Sequence, residues 1–190
     1  MSDVVVVGLG ADGSAAAMHL ARHGERVLGL EAFPRGHTLG SSGGRTRVIR
    51  LAYYEHPDYV PLLRRAWELS RELETATGEE LLRQTGGLYA GPPDGPLRET
   101  TAADAAPVER FLADHLPTGL GALRSTNVCR YTVTPDEHFV IDADDRVVYA
   151  SACSGHGFKF AGVVSEILAD LSTTGRTAHE IGFLSRRRFG

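Results

Sequence analysis

Cysteine is nearly absent: Cys129 and Cys153 are the only two in 190 residues. That is too few for a disulfide scaffold in a chain of this size. No apolar run approaches the length that a membrane-spanning helix needs, so no membrane partner is expected. A basic excess is missing as well, since 20 Lys and Arg stand against 24 Asp and Glu, for a net charge of −4. Nothing in that balance calls for nucleic acid or an anionic surface as a partner. The N-terminus lacks the basic start of a secretory signal, because Asp3 sits there and glycines interrupt the apolar stretch. A reducing cytoplasm is the expected location. No repeat of solenoid type is present. What remains is an ordinary globular balance, 42% hydrophobic and 23% charged, in a length that suits one domain.

Val4 to Val7 is a short, fully apolar, β-branched run, which predicts a strand buried on both faces of a parallel sheet. It leads into Gly8-Leu9-Gly10-Ala11-Asp12-Gly13 and then a stretch of helix formers that ends at Gly24. Arg26 to Glu31 reads as a second strand. A glycine- and serine-rich loop follows, and then the apolar residues Tyr59, Leu62, Leu63, Ala66, Trp67, Leu69 and Leu73 recur at helical spacing. They predict a long amphipathic helix from Pro57 to Thr77, closed by Gly78. Gly86 to Tyr89 reads as a strand, Pro107 to Leu116 as a short helix, and Cys129 to Asp142 as extended chain with a turn at Pro135-Asp136. Val147 to Ala152 is predicted to join the parallel sheet. Phe160, Val163, Val164, Ile167, Leu168 and Leu171 mark a last helix, with Gly175 beyond it. The fold class expected is α/β, a dinucleotide-binding, Rossmann-like parallel sheet with flanking helices.

The glycine turn carries the first chemistry. Gly8 permits a tight turn, Gly10 leaves room for a pyrophosphate, and Gly13 lets helix and strand pack closely. The helix N-terminus offers N–H groups and a partial positive charge to phosphates. Glu31, 18 positions after Gly13, is placed to accept hydrogen bonds from an adenosine ribose. A tight structural turn would use the same glycines, but strand, turn, helix and acid together favour dinucleotide binding. The turn alone does not separate FAD from NAD.

Three further segments do: Gly40 to Arg50, Cys129 to Phe139 (Cys-Arg-Tyr-Thr-Val-Thr-Pro-Asp-Glu-His-Phe) and Ser154 to Phe160 (Ser-Gly-His-Gly-Phe-Lys-Phe). In this order they resemble the monomeric sarcosine oxidase and N-methyltryptophan oxidase family, FAD-dependent amine oxidases of the D-amino-acid oxidase superfamily. The resemblance covers about residues 3–97 and 102–189. The family has a long middle section between those blocks that this chain does not have, so most of the substrate domain is expected to be missing. A single FAD-binding domain over residues 1–190 is expected, assembled from blocks of about 1–97 and 102–190.

The resemblance implies FAD-dependent oxidation of an N-methyl amino acid. Hydride passes to flavin, the imine hydrolyses, and oxygen is reduced to hydrogen peroxide. It implies a flavin thioether at Cys129, where the bare alternative is a buried thiol without chemistry. By position, Arg50 and Lys159 would hold the substrate carboxylate, a fork and a point charge suited to that anion, whereas Thr46 and Arg47 would lie against the flavin. Gly155, His156 and Gly157 form a second glycine turn, with His156 read as a turn residue beside the flavin. His138 is read as structural and Cys153 as core. Gly43 stands where the family often has histidine. The expected partners are a small secondary-amine amino acid and oxygen, with no metal. The family is monomeric, and open sheet edges here make self-association an expectation. A flavin-binding remnant without turnover and a nicotinamide-dependent dehydrogenase are the alternatives.

Overall fold

The computed structural model describes residues 1–44, 47–85, 105–119, 121 and 132–190. The chain divides into two units, Met1–Arg83 with Tyr131–Gly190, and Gln84–Arg130. In the larger unit, β1 (Val4–Val7) pairs in parallel with β2 (Val27–Leu30), in a register that sets Val4 beside Val27 and Val7 beside Leu30. The connection between them is α1 (Ala11–Arg22), so the predicted strand, glycine turn, helix and strand are all present.

Helix α2 (Tyr59–Thr77) ends on Gly78 at φ 73°, and α4 (Ala161–Thr174) ends on Gly175 at φ 71°. Both glycines adopt the left-handed conformation that side chains resist, which is why the helices stop there. Helix α4 buries Val163, Val164, Ser165, Ile167 and Ala169. It packs against both α1 and α2, and its Val163, Val164 and Ile167 are fully buried. Leu62, Leu63, Ala66 and Leu69 of α2 complete this core together with Phe139, Ile141, Phe160 and Leu184. At the rim, the Arg65 guanidinium donates to both carboxylate oxygens of Glu166, at 2.7 and 2.9 Å, and ties α2 to α4.

Two expectations need correction. Val147–Ser151 (β4) does not extend the β1–β2 sheet; it pairs antiparallel with β3 (Val140–Asp144) in a separate two-stranded sheet. The cause is local. Asp145, at φ 49°, and Arg146 form a two-residue hairpin loop, which returns the chain before a distant parallel pairing can compete. The second correction concerns β1, which is not buried on both faces. Val5 and Val7 are 50% and 82% exposed, and their β2 neighbours Leu28 and Leu30 are 47% and 48% exposed.

The smaller unit holds α3 (Ala105–His115), close to the short helix expected there, and a 3-10 turn at Pro117–Gly119. The strand expected at 86–89 lies outside the described residues. Among those described, no helix is long and apolar enough to cross a membrane.

The outer row of Val5, Val7, Leu28 and Leu30 is an aliphatic patch of the kind that drives association. The purified chain is expected to show a mass that rises with concentration in light scattering, and Val7→Lys to shift it toward monomer. Identical masses for both proteins across the concentration range would exclude this face as the cause.

Candidate functional site

Gly8 closes β1 with φ +87° and donates its N–H to the Leu30 carbonyl at 2.8 Å. A Cβ on Gly13 would overlap the Gly8 carbonyl, so helix and turn touch backbone to backbone here. Gly10 is different: an added Cβ there would meet only Ser42 Oγ, at 3.5 Å. Gly10 is also the N-cap of α1, and no side chain caps that end. Apart from Asp12, whose own carboxylate takes its N–H, this helix start is left without a side-chain cap, as a phosphate site requires.

Glu31 folds back over this turn. One carboxylate oxygen accepts from the Leu9 amide at 2.7 Å, and the other accepts from the Ala32 and Phe33 amides. The Leu9 bond is the main reason its carboxyl is held below the ordinary range. A fixed anion beside an open, uncapped helix start fits the ribose and pyrophosphate of a dinucleotide.

Asp12, in the first turn of α1, has a buried Oδ1 with no hydrogen-bond partner. Burial pushes its carboxyl up to about 6, against a smaller lowering by its own backbone N–H. Its carbonyl accepts from Ser165 Oγ of α4 at 2.6 Å.

A second cluster joins three segments of the larger unit. The Arg50 guanidinium donates to Glu55 at 2.5 Å and lies 5.0 Å from the centre of the Tyr53 ring. Lys159, the sole lysine of the chain, places Nζ 5.3 Å from the same ring and donates to the His156 carbonyl at 2.7 Å. Burial pushes Lys159 down to about 8, and the positive charge of Arg50 adds to the effect. The Tyr53 hydroxyl donates to His156 Nδ1 at 2.6 Å, and His156 Nε2 donates to the Glu137 carbonyl at 3.2 Å. Behind them Tyr59 accepts from the Phe139 amide at 3.0 Å and shares a hydrogen bond with His138 Nδ1 at 3.4 Å.

Of the residues singled out in the sequence, Gly8, Gly10, Gly13 and Glu31 converge on the first site. Arg50, Lys159 and His156 converge on the second. Gly155 takes φ +77°, and a Cβ on Gly157 would overlap the Ala152 carbonyl, so both are fixed by the turn itself. Arg47 donates to the Ser42 and Gly43 carbonyls and lies 4.7 Å from the Phe158 ring. Thr46 and Cys129 lie outside the described residues. Cys153 is half-buried, not core, with Sγ 3.9 Å from Ser41 Oγ. Tyr53 and Glu55 escaped sequence reasoning, although a carboxylate five positions after Arg50 in a short loop was a usable signal. The open depression lined by Asp144, Val147, Tyr149 and Arg186 lies on the β3–β4 hairpin and contains none of these groups. Among the described residues, no cluster of His, Cys, Asp or Glu could hold a metal ion.

The family model of FAD dependent oxidoreductases matches residues 3–94 and 83–171. The chain belongs to the FAD dependent oxidoreductase family. The chain is 50% identical over 107 residues to a monomeric sarcosine oxidase of Streptomyces avermitilis, covering 54% of this chain and 28% of that protein. It is 38% identical over 103 residues to an N-methyl-L-tryptophan oxidase of Citrobacter koseri, covering 54% and 28%. To a human peroxisomal sarcosine oxidase it is 42% identical over 89 residues, covering 47% and 23%. The matches thus span about a quarter of the length of these relatives.

Two outcomes are expected from this geometry. Gly10→Val should fold with an unchanged melting temperature yet lose FAD affinity, whereas Gly13→Val should lose the fold because its Cβ meets backbone. Melting curves and FAD titration separate the two, and an unfolded Gly10→Val protein would contradict this account.

Asp12 supplies the other. Its folded value near 6 exceeds its ordinary 3.8, so the folded chain binds this proton more tightly and loses stability as pH rises from 4 to 6. Asp12→Asn should therefore be more stabilising at pH 7 than at pH 4, by about 1–2 kcal/mol. Denaturant midpoints that move equally at both pH values would show that the carboxyl is not buried as described.

Proposed function

We propose that this chain is a single FAD-binding domain, built from its two sequence blocks, of an oxidase acting on N-methyl amino acids of the sarcosine or N-methyltryptophan type. The observation that carries the reading is the convergence of Arg50 and Lys159 on one aromatic ring, with the Glu55 carboxylate already held against Arg50. A cation that pairs with an internal carboxylate has the geometry to take the carboxylate of an amino acid in exchange.

FAD, when bound, supplies the two-electron acceptor for hydride from the substrate carbon next to nitrogen. Gly8, Gly10 and Gly13 would admit its pyrophosphate, and Glu31 its ribose. Thr46, Arg47 and the turn of Gly155, His156 and Gly157 would border the flavin. Arg50 and Lys159 would anchor the substrate carboxylate and orient the amine. The imine would be hydrolysed by water, and oxygen would take up the two electrons and two protons and be released as hydrogen peroxide. Cys129 would join the flavin through a thioether. Such a linkage would release one hydrogen from the thiol and one from the flavin methyl group, with oxygen as the acceptor of both. We place the protein in the cytoplasm, with a small secondary-amine amino acid and oxygen as its partners.

A second reading is a flavin-binding protein without turnover. The exposed β1–β2 face favours it, because amine oxidation needs a site closed to bulk water.

The test is to load the chain with FAD, precipitate it with acid, and titrate the yellow holoprotein with sarcosine. A coloured pellet that turns colourless in Cys129→Ser supports the thioether. Sarcosine affinity should fall about tenfold or more in Arg50→Gln. It should also weaken as pH rises through 8, where Lys159 loses its charge. Flavin spectra that ignore sarcosine at pH 7 would sink the carboxylate site. Sarcosine binding without peroxide would select the second reading.

A further inference from the structure

Arg50 and Lys159 carry like charges, and burial strengthens their repulsion. Something must hold them near one position without letting them separate or collapse. Lys159 is tethered on one side by its bond to the His156 carbonyl. Arg50 is paired with Glu55, and the Tyr53 ring lies near both cations, at 5.0 Å from Arg50 and 5.3 Å from Lys159. An aromatic face attracts a cation placed over it, so the position of this ring bears on both charges.

The ring is itself fixed. A carbonyl can only accept, so the bond to the Glu137 carbonyl requires the hydrogen on His156 Nε2. That leaves the Nδ1 lone pair for the Tyr53 hydroxyl, at 2.6 Å. Burial holds the histidine down, so it stays neutral, and holds the Tyr53 hydroxyl up, so it stays a donor. Phe139 stacks on the imidazole at 4.6 Å, and Phe160 meets the Tyr53 ring edge-on at 5.7 Å. The Glu137 carbonyl, His156, Tyr53 and the two cations thus form a single chain of contacts.

We propose that Tyr53 and His156 are positioning residues, in which the imidazole locks the tyrosine ring and the ring sets the spacing of Arg50 and Lys159. This rests on the carboxylate-anchoring reading above and adds the device that shapes that anchor. It assigns His156 a job directed at the substrate side through Tyr53.

The sole lysine makes the test direct. In protein labelled only at lysine, the single side-chain methylene signal next to Nζ should lie upfield, shifted by the rings of Tyr53 and Phe160. Tyr53→Phe keeps the ring but loses its tether, and His156→Leu removes the acceptor. Both should reduce the shift by at least half and weaken sarcosine binding to the FAD-loaded chain about tenfold. His156→Gln can accept from Tyr53 and donate to the Glu137 carbonyl, so it should restore most of the shift. A lysine signal that stays in place in both Tyr53→Phe and His156→Leu overturns the proposal. Movement in both, with recovery in His156→Gln, supports it. A parent chain that leaves sarcosine unbound overturns the underlying carboxylate reading instead. That result is read from flavin absorbance, separately from the lysine signal.

Discussion

Val163, Val164 and Ile167 of α4 lose all contact with water between α1 and α2. Each such side chain contributes about 1.5–3 kcal/mol when fully buried, and that burial fixes three distant pieces of chain against one another. Each piece is preceded by a segment with chemistry. The glycine turn leads into α1, the loop of Arg50 to Glu55 precedes α2, and the turn of Gly155 to Lys159 leads into α4. The functional groups are therefore placed by helix packing, although most of them sit on loops and turns.

A cost comes with this arrangement. Lys159 is pushed down to about 8 because the same packing that positions it also removes its water. Buried charge is tolerable only where it is paired or hydrogen-bonded. Here the His156 carbonyl and the Tyr53 ring offset part of that penalty for Lys159, and Glu55 offsets it for Arg50. The Glu55 carboxylate also opposes the downward shift of Lys159, so one acid steadies both cations. A carboxylate ligand taking its place would inherit the same role.

What the sequence revealed was local. The glycine turn was legible because its parts lie within six consecutive positions, and both helix ends were legible because only glycine suits the left-handed caps at 78 and 175. The β3–β4 hairpin was missed because Asp145-Arg146 is not among the usual two-residue turn pairs, and the apolar run from Val147 fits a parallel strand equally well. The Tyr53–His156 bond spans 103 positions, and no periodicity or motif spacing reports a contact of that range. Glu31 was legible as an acid at the end of β2. Its bond to the Leu9 amide was not, because it depends on how far the loop after β2 turns back.

The two sites consequently depend on the fold in different ways. The glycine turn works through backbone: its amides, the φ of Gly8 and the empty space at Gly10 need only β1, α1 and their mutual contact. The cation pair works through side chains drawn from residues 50–55, 137–139 and 156–160, which meet only when Phe139 and Phe160 are fully buried among them. Loosening that aromatic packing admits water to Lys159 and frees the Tyr53 ring. It leaves the geometry of the glycine turn as it was. The proposed nucleotide site is thus the less demanding of the two, because it rests on a contiguous stretch of backbone. The proposed carboxylate recognition would be the more demanding property. It requires the whole of the larger unit to be folded before its two cations can share an anion.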